Sequence, residues 1–129
     1  MSILLDTHVF IWAIGGENRL SKTARTLLED PDEIIFLSAA SSWEIAIKWS
    51  KGALDLPGNP GTFIPEAIAA ARISKLSITI RDSCYVADLP FHHKDPFDRL
   101  LNAQAQANDL RIFTNDRSFK KYDVDVFWV

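Results

Sequence analysis

The sequence predicts an α/β fold, a mostly parallel sheet covered on both faces by helices. Two observations predict it. Short apolar runs alternate with helix-like segments along all 129 residues, the order that strand–helix–strand units produce. The clearest of those runs, EIIFLS, is rich in residues that suit a sheet buried on both sides. In such folds right-handed crossovers carry the C-terminal end of every strand to one edge, and ligands bind in the crevice along that edge.

The elements follow in order. "ILL" (Ile3 to Leu5) is a first strand, and an apolar helix runs through Val9, Phe10, Trp12 and Ala13 to Gly15-Gly16. "LSKTARTLLED" is helical from Ser21 and stops before Pro31; "EIIFLS" is the second strand. In "SSWEIAIKWSKG", Ser41 reads as the N-cap and Glu44 as the third helical residue, a capping-box pattern. Lys48 stands four residues on, where it pairs with Glu44, and Gly52 ends the helix as a C′ residue. "DLPGNPGTF" is a loop by its Pro and Gly content, "PEAIAAARI" a helix and "KLSIT" the third strand. "IRDSCYVADL" is a short helix ending at Pro90. "DPFDRLLNAQAQAND" is a strong helix, with Asp95 as N-cap and Pro96 at its first position. "RIFT" and "VDVFWV" complete the strands.

Bulk composition bounds the function. The length suits a single domain, residues 1–129, with a core of its own. A formal net charge of −3 argues against a generic nucleic-acid coat, but not against an enzyme acting on nucleic acid, because local patches steer ligands whatever the total. Cys84 is the only cysteine, so disulfides and cysteine zinc clusters are excluded, as in a reducing compartment. The opening "MSILLD" carries no basic stretch and no long apolar segment. Neither a signal peptide nor a membrane span is expected, and the expected location is the cytoplasm.

Acids gather where the strands end. The first strand ends in Asp6, and the second leads into the Glu44 helix. The third leads, by way of the "PFHHK" loop, to Asp95 and Asp98. "RIFT" ends in Asn115-Asp116. Singly, Asp6, Asp95 and Asp116 read equally well as helix caps, and Asp98 as a residue that favours a helix N-terminus. As a converging set, Asp6, Glu44, Asp98 and Asp116 must either raise some of their pKa values or hold a cation. Oxygen ligands without cysteine select a hard ion, Mg²⁺ or Mn²⁺, which suits phosphate chemistry.

Four segments carry a family resemblance: "LLDTHVFIW", "SAASSWEIAIKWSKGALDLP", "DLPFHHKDPFDRLLNAQA" and "TNDRSFKKY". Together they resemble the PIN-domain nucleases, specifically the VapC-type toxins of bacterial toxin–antitoxin modules, in order and spacing over nearly the whole chain. The resemblance implies a five-stranded, mostly parallel sheet in the order 3-2-1-4-5. It implies a Mg²⁺- or Mn²⁺-dependent endoribonuclease that hydrolyses RNA with a metal-activated water. It also implies inhibition by a VapB-type antitoxin, and a homodimer. The family's acidic quartet falls on Asp6, Glu44, Asp98 and Asp116, with Asp6 and Asp98 holding the principal ion. Asn102 departs from the family, whose members usually carry an apolar residue there.

Around that quartet, Thr7, Asp95, Thr114 and Asn115 are candidates to orient the acids or bound water. Lys48, Lys94, Arg99 and Arg117 are candidates to hold RNA phosphates. His8, His92 and His93 are too scattered for a zinc site. Phe91 and Phe97 are read as core residues before base-stacking ones, and Cys84 as an inert helix residue. The Glu44 helix is apolar on two sides, one bearing Ile45 and Trp49 and the other Trp43, Ala46 and Ile47, so one side suits the core and one a partner. A phosphatase of the haloacid dehalogenase type is disfavoured because His8 stands where it needs a second Asp. The remaining alternatives are a PIN-like binding module with little turnover and a DNA-directed nuclease.

Overall fold

A computed structural model describes residues 2–15, 20–91, 95–122 and 126–128. Five strands form one sheet in the order β3-β2-β1-β4-β5: β1 (Ser2–Leu5), β2 (Ile34–Ser38), β3 (Ser74–Leu76), β4 (Arg111–Thr114) and β5 (Val126–Trp128). Every neighbouring pair is parallel. The helices are α1 (Thr7–Gly15), α2 (Lys22–Glu29), α3 (Ala39–Ser50), α4 (Pro60–Ala70), α5 (Ile80–Tyr85) and α6 (Pro96–Asn108). Short 3₁₀ turns follow at Val86–Asp88 and Arg117–Lys121.

The alternation along β1 divides the core. Ile3 and Leu5 pack with Val9, Phe10, Ile45, Ile64, Ile68 and Phe113 on one face of the sheet. Leu4 faces the other way, onto Leu101, Ala105, Ile112 and Phe119 beneath α6. Both β1 and β4 are central and fully covered, which is why their sequences carry no polar alternation.

Three boundaries differ from the sequence expectation. The cap of α3 is Ser38, whose hydroxyl accepts from Ala40 N, so Ser41 is the third helical residue and Glu44 the sixth. The S-x-x-E spacing is therefore not a capping box, and Ser41 is buried in contact with Thr7 instead. Secondly, α4 begins at Pro60, capped by Asn59, and Pro65 lies within it. A proline at the sixth helical position deletes one intrahelical hydrogen bond, while Ile64 and Ile68 on either side of it are buried in the core. Thirdly, β3 is short and starts at Ser74. Its partner β2 turns into α3 after Ser38, which pairs with Leu76, so the ladder has nowhere to continue. Thr79, expected in that strand, instead caps α5 in a capping box with Asp82.

Other expectations hold. Helix α2 starts at Lys22 directly after its cap Ser21, Asp95 caps α6 with Pro96 at its first position, and Gly52 follows α3 at φ +74°, the left-handed conformation a C′ residue adopts. Cys84, expected as an inert residue of an apolar helix, is exposed on α5. No helix among the described residues is long and apolar enough to cross a membrane.

Candidate active site

The strand exits meet in one cavity of about 340 Å³. All four acids of the quartet, Asp6, Glu44, Asp98 and Asp116, line it, as do Asp95, Asn115 and Lys48. His8 and Trp12 from α1 line it too, and the sequence reading did not assign either to a site. Both lie within two turns of Asp6 on the first helix after β1, which was the available signal.

Two of the acids, Asp6 and Glu44, are held by partners from distant parts of the chain. Thr114, at the end of β4, donates its hydroxyl to Asp6 Oδ2 at 2.6 Å and accepts from the Asp116 backbone N–H at 3.0 Å. Thr7, next to Asp6 in sequence, serves a different acid: its Oγ1 lies 2.8 Å from Glu44 Oε1 and 2.9 Å from Ser41 Oγ. The two threonines thus cross over, each orienting a carboxylate brought in by another strand. Glu44 Oε2 accepts from Lys48 Nζ at 2.7 Å. Asp95 Oδ1 caps α6 through the N–H groups of Phe97 and Asp98. Asp116 Oδ1 accepts from both the N–H and the hydroxyl of Ser118. Asn102 is fully buried and donates to the Asp98 carbonyl oxygen, so it supports the first turns of α6 and does not face solvent.

Electrostatics register the crowding. Burial pushes the Asp98 carboxyl up to about 8, with Asp6, Asp95, Glu44 and Asp116 adding like-charge repulsion. Asp6 is also raised by burial, against the opposing hydrogen bond from Thr114. Lys48 is raised chiefly by its hydrogen bond to Glu44.

Oxygen donors around an acidic cavity fit a hard divalent ion. Among the described residues no three acidic, histidine or cysteine side chains converge closely enough to hold a metal ion by themselves. An open ring of carboxylates suits Mg²⁺, which keeps several waters and takes few protein ligands directly. Asp6, Asp98 and Asp116 line the cavity alongside Glu44, whose two oxygens accept from Thr7 and Lys48.

The PIN-domain family profile matches residues 3–125. This chain is a PIN domain. Ribonuclease VapC22 of Mycobacterium tuberculosis is 29% identical over 123 residues, 94% of this chain and 92% of that protein. A chain of the VapBC2 complex from Rickettsia felis, bound to a promoter DNA fragment, matches with a TM-score of 0.74 at 17% identity, covering 99% of this chain and 98% of that one. A chain of the DNA-bound VapBC of Salmonella typhimurium matches with a TM-score of 0.73 at 14% identity over 99% and 98% of the two chains. At these identities the two structures bear on the fold alone.

The PIN domain's expected phosphate contacts divide. Lys48 lines the cavity, and Arg117 is exposed on the 3₁₀ turn after Asp116. Lys94, with His92 and His93, lies outside the described residues. Arg99 is a correction. It is 7% exposed, and its guanidinium donates to the carbonyl oxygens of Pro90 and Val86 at 3.0 Å. It therefore fastens the loop before α6 and is spent as a phosphate ligand. The exposed Phe91 ring lies 4.3 Å from the same guanidinium, so Phe91 is not a core residue either. Phe97 is half-buried, edge-on to Trp43 at 5.1 Å.

Proposed function

We propose that this PIN domain is a Mg²⁺- or Mn²⁺-dependent endoribonuclease and the toxin of a toxin–antitoxin pair. One observation carries the reading: carboxylates from separate strand exits ring a single cavity in a chain of the PIN family. A divalent ion, when bound, polarises a phosphoryl oxygen and lowers the pKa of its water. Asp6, Asp98 and Asp116 would hold that ion. Thr114 keeps the Asp6 carboxylate pointed at the cavity, and the Asp95 cap fixes the first turn of α6 so that Asp98 faces the same way. Glu44 would act through water or after release of Lys48, and Asn115 and Thr7 would support the same shell.

The named relative supports ribonuclease activity, and the chains of the two VapBC complexes share this fold. A VapB-type antitoxin is the partner expected here. An acidic cavity of this kind accepts an arginine, whose guanidinium pairs with two carboxylate oxygens at once. The test is incubation with RNA and with DNA of one sequence, in Mn²⁺ and in EDTA. Cleavage of RNA in Mn²⁺ alone supports the reading; cleavage of DNA in preference, or none of either, overturns it.

A homodimer is also proposed. Ile45 on α3 is buried in the core while Trp43 on the same helix is 58% exposed. Trp43 borders an apolar cavity of about 500 Å³ between α3, α4 and β3. An exposed indole beside an apolar hollow is an unfavourable surface for a monomer. Light scattering at micromolar concentration should give twice the chain mass, and Trp43→Glu should shift it toward one; a wild-type monomer refutes the dimer.

A further inference from the structure

We propose that Lys48 is a resident counter-ion: its ammonium holds the place of positive charge at Glu44, and a divalent ion entering the cavity displaces it onto a substrate phosphate. The inference rests on the metal-dependent nuclease reading above and adds a moving part to it.

The geometry sets an ammonium where an incoming cation would compete with it. Glu44 Oε1 is hydrogen bonded by Thr7 and Oε2 by Lys48 Nζ, so a cation approaching Glu44 meets a positive charge already seated on one of its oxygens. The two ends of the ion pair differ in freedom. The Glu44 side chain is 7% exposed and pinned from behind, whereas the Lys48 side chain is 43% exposed. A lysine has four rotatable carbons and a compact charge, and it can leave without disturbing the backbone. Lys48 is the one lysine or arginine among the described residues lining the cavity, against Asp6, Glu44, Asp95, Asp98 and Asp116.

Charge then sets the order of events. An ammonium and a divalent ion in one acidic cavity repel each other, so their occupancies oppose each other. Reciprocity follows: whatever removes the ammonium from Glu44 favours the ion, and the reverse. Because α3 anchors Lys48 at the cavity mouth, the released Nζ stays near the site. The acceptor of matching charge that arrives with the ion is the phosphate of the nucleic acid. Metal binding and backbone binding are coupled through one side chain.

The test is Mn²⁺ affinity, followed by electron paramagnetic resonance, for wild type, Lys48→Met and Lys48→Arg. RNA affinity is measured in parallel by anisotropy of a labelled single-stranded RNA dodecamer with phosphorothioate linkages, at saturating Mn²⁺. Lys48→Met should bind Mn²⁺ tighter, by roughly 5- to 150-fold as for a typical coupling between sites. It should bind the dodecamer more weakly, with a salt dependence shallower by about one phosphate contact. Lys48→Arg should stay close to wild type in both. A lysine that merely braces the helix predicts neither change. Unchanged or weaker Mn²⁺ binding in Lys48→Met overturns the counter-ion role. Tighter Mn²⁺ with unaltered RNA affinity overturns the transfer to phosphate. A wild-type protein that binds no Mn²⁺ overturns the metal reading itself, a result distinct from equal binding by all three.

Discussion

Asp6→Asn is expected to lower metal-dependent RNA cleavage by more than about 100-fold. Removing the support of a metal ligand typically costs about 10- to 100-fold in affinity or activity, and Asp6 is proposed as a ligand itself. The substitution spares the fold. The Asp6 backbone N–H still donates to the Phe113 carbonyl, and its own carbonyl still accepts from Phe10 N. An asparagine oxygen can still receive the Thr114 hydroxyl, so the local hydrogen bonding survives while the charge is lost. Thr114→Val makes the matched comparison: the carboxylate stays but loses its orienting hydroxyl, and activity should fall by about 10- to 100-fold. Single-turnover cleavage of one RNA by the two variants would rank them. An Asp6→Asn protein that cleaves at the wild-type rate would show that the ion sits elsewhere.

Without metal, the protein should lose stability as pH rises from about 4 to about 8. The sign follows from Asp98, whose carboxyl is near 8 in the fold against an ordinary value of 3.8. Below the ordinary value both folded and unfolded chains carry the proton, and there is no penalty. Between the two values the unfolded chain releases its proton while the folded chain retains it, so unfolding gains ground with each unit of pH. Above about 8 both forms are ionised and the dependence flattens. The slope for one proton is at most about 1.4 kcal/mol per pH unit. Partial exposure of the site reduces the sum to a few kcal/mol. Urea midpoints in EDTA at successive pH values would measure it. Asp98→Asn should flatten the profile and be the more stable protein at pH 8, and saturating Mn²⁺ should flatten it for wild type. A profile in EDTA identical for wild type and Asp98→Asn would refute the assignment of the charge conflict to Asp98.

Local chemistry made much of this molecule legible. Ser21, Asp95-Pro96 and Gly52 mark helix ends through interactions with their own neighbours, so a few residues of sequence suffice to read them. The strand β1 stands out because burial on both faces demands an unbroken apolar run, Ile3 to Leu5. The acids could be assigned to one edge because crossover handedness is nearly invariant. Where two local solutions competed, the sequence was silent. Ser38 and Ser41 are both good caps; Ser38 takes the role, while Ser41 accepts a hydrogen bond from Thr7, a residue 34 positions away. Arg99 looks like any basic residue beside an acidic loop until the loop carbonyls close around it.

The amino-acid sequence alone thus determined which residue types reach the C-terminal edge of the sheet: Asp6, Glu44, Asp98 and Asp116, with no cysteine among them. Tertiary structure alone decided how they are held. Thr114 and Asp6 lie 108 residues apart and Thr7 and Glu44 lie 37 apart, yet each pair is in hydrogen-bond contact. No periodicity or spacing encodes such pairs, because they depend on the register between strands that meet only after the chain has closed its crossovers. The same closure buried Arg99 away from any phosphate, and brought Thr7 to the carboxylate that Lys48 already reaches from one turn along the same helix.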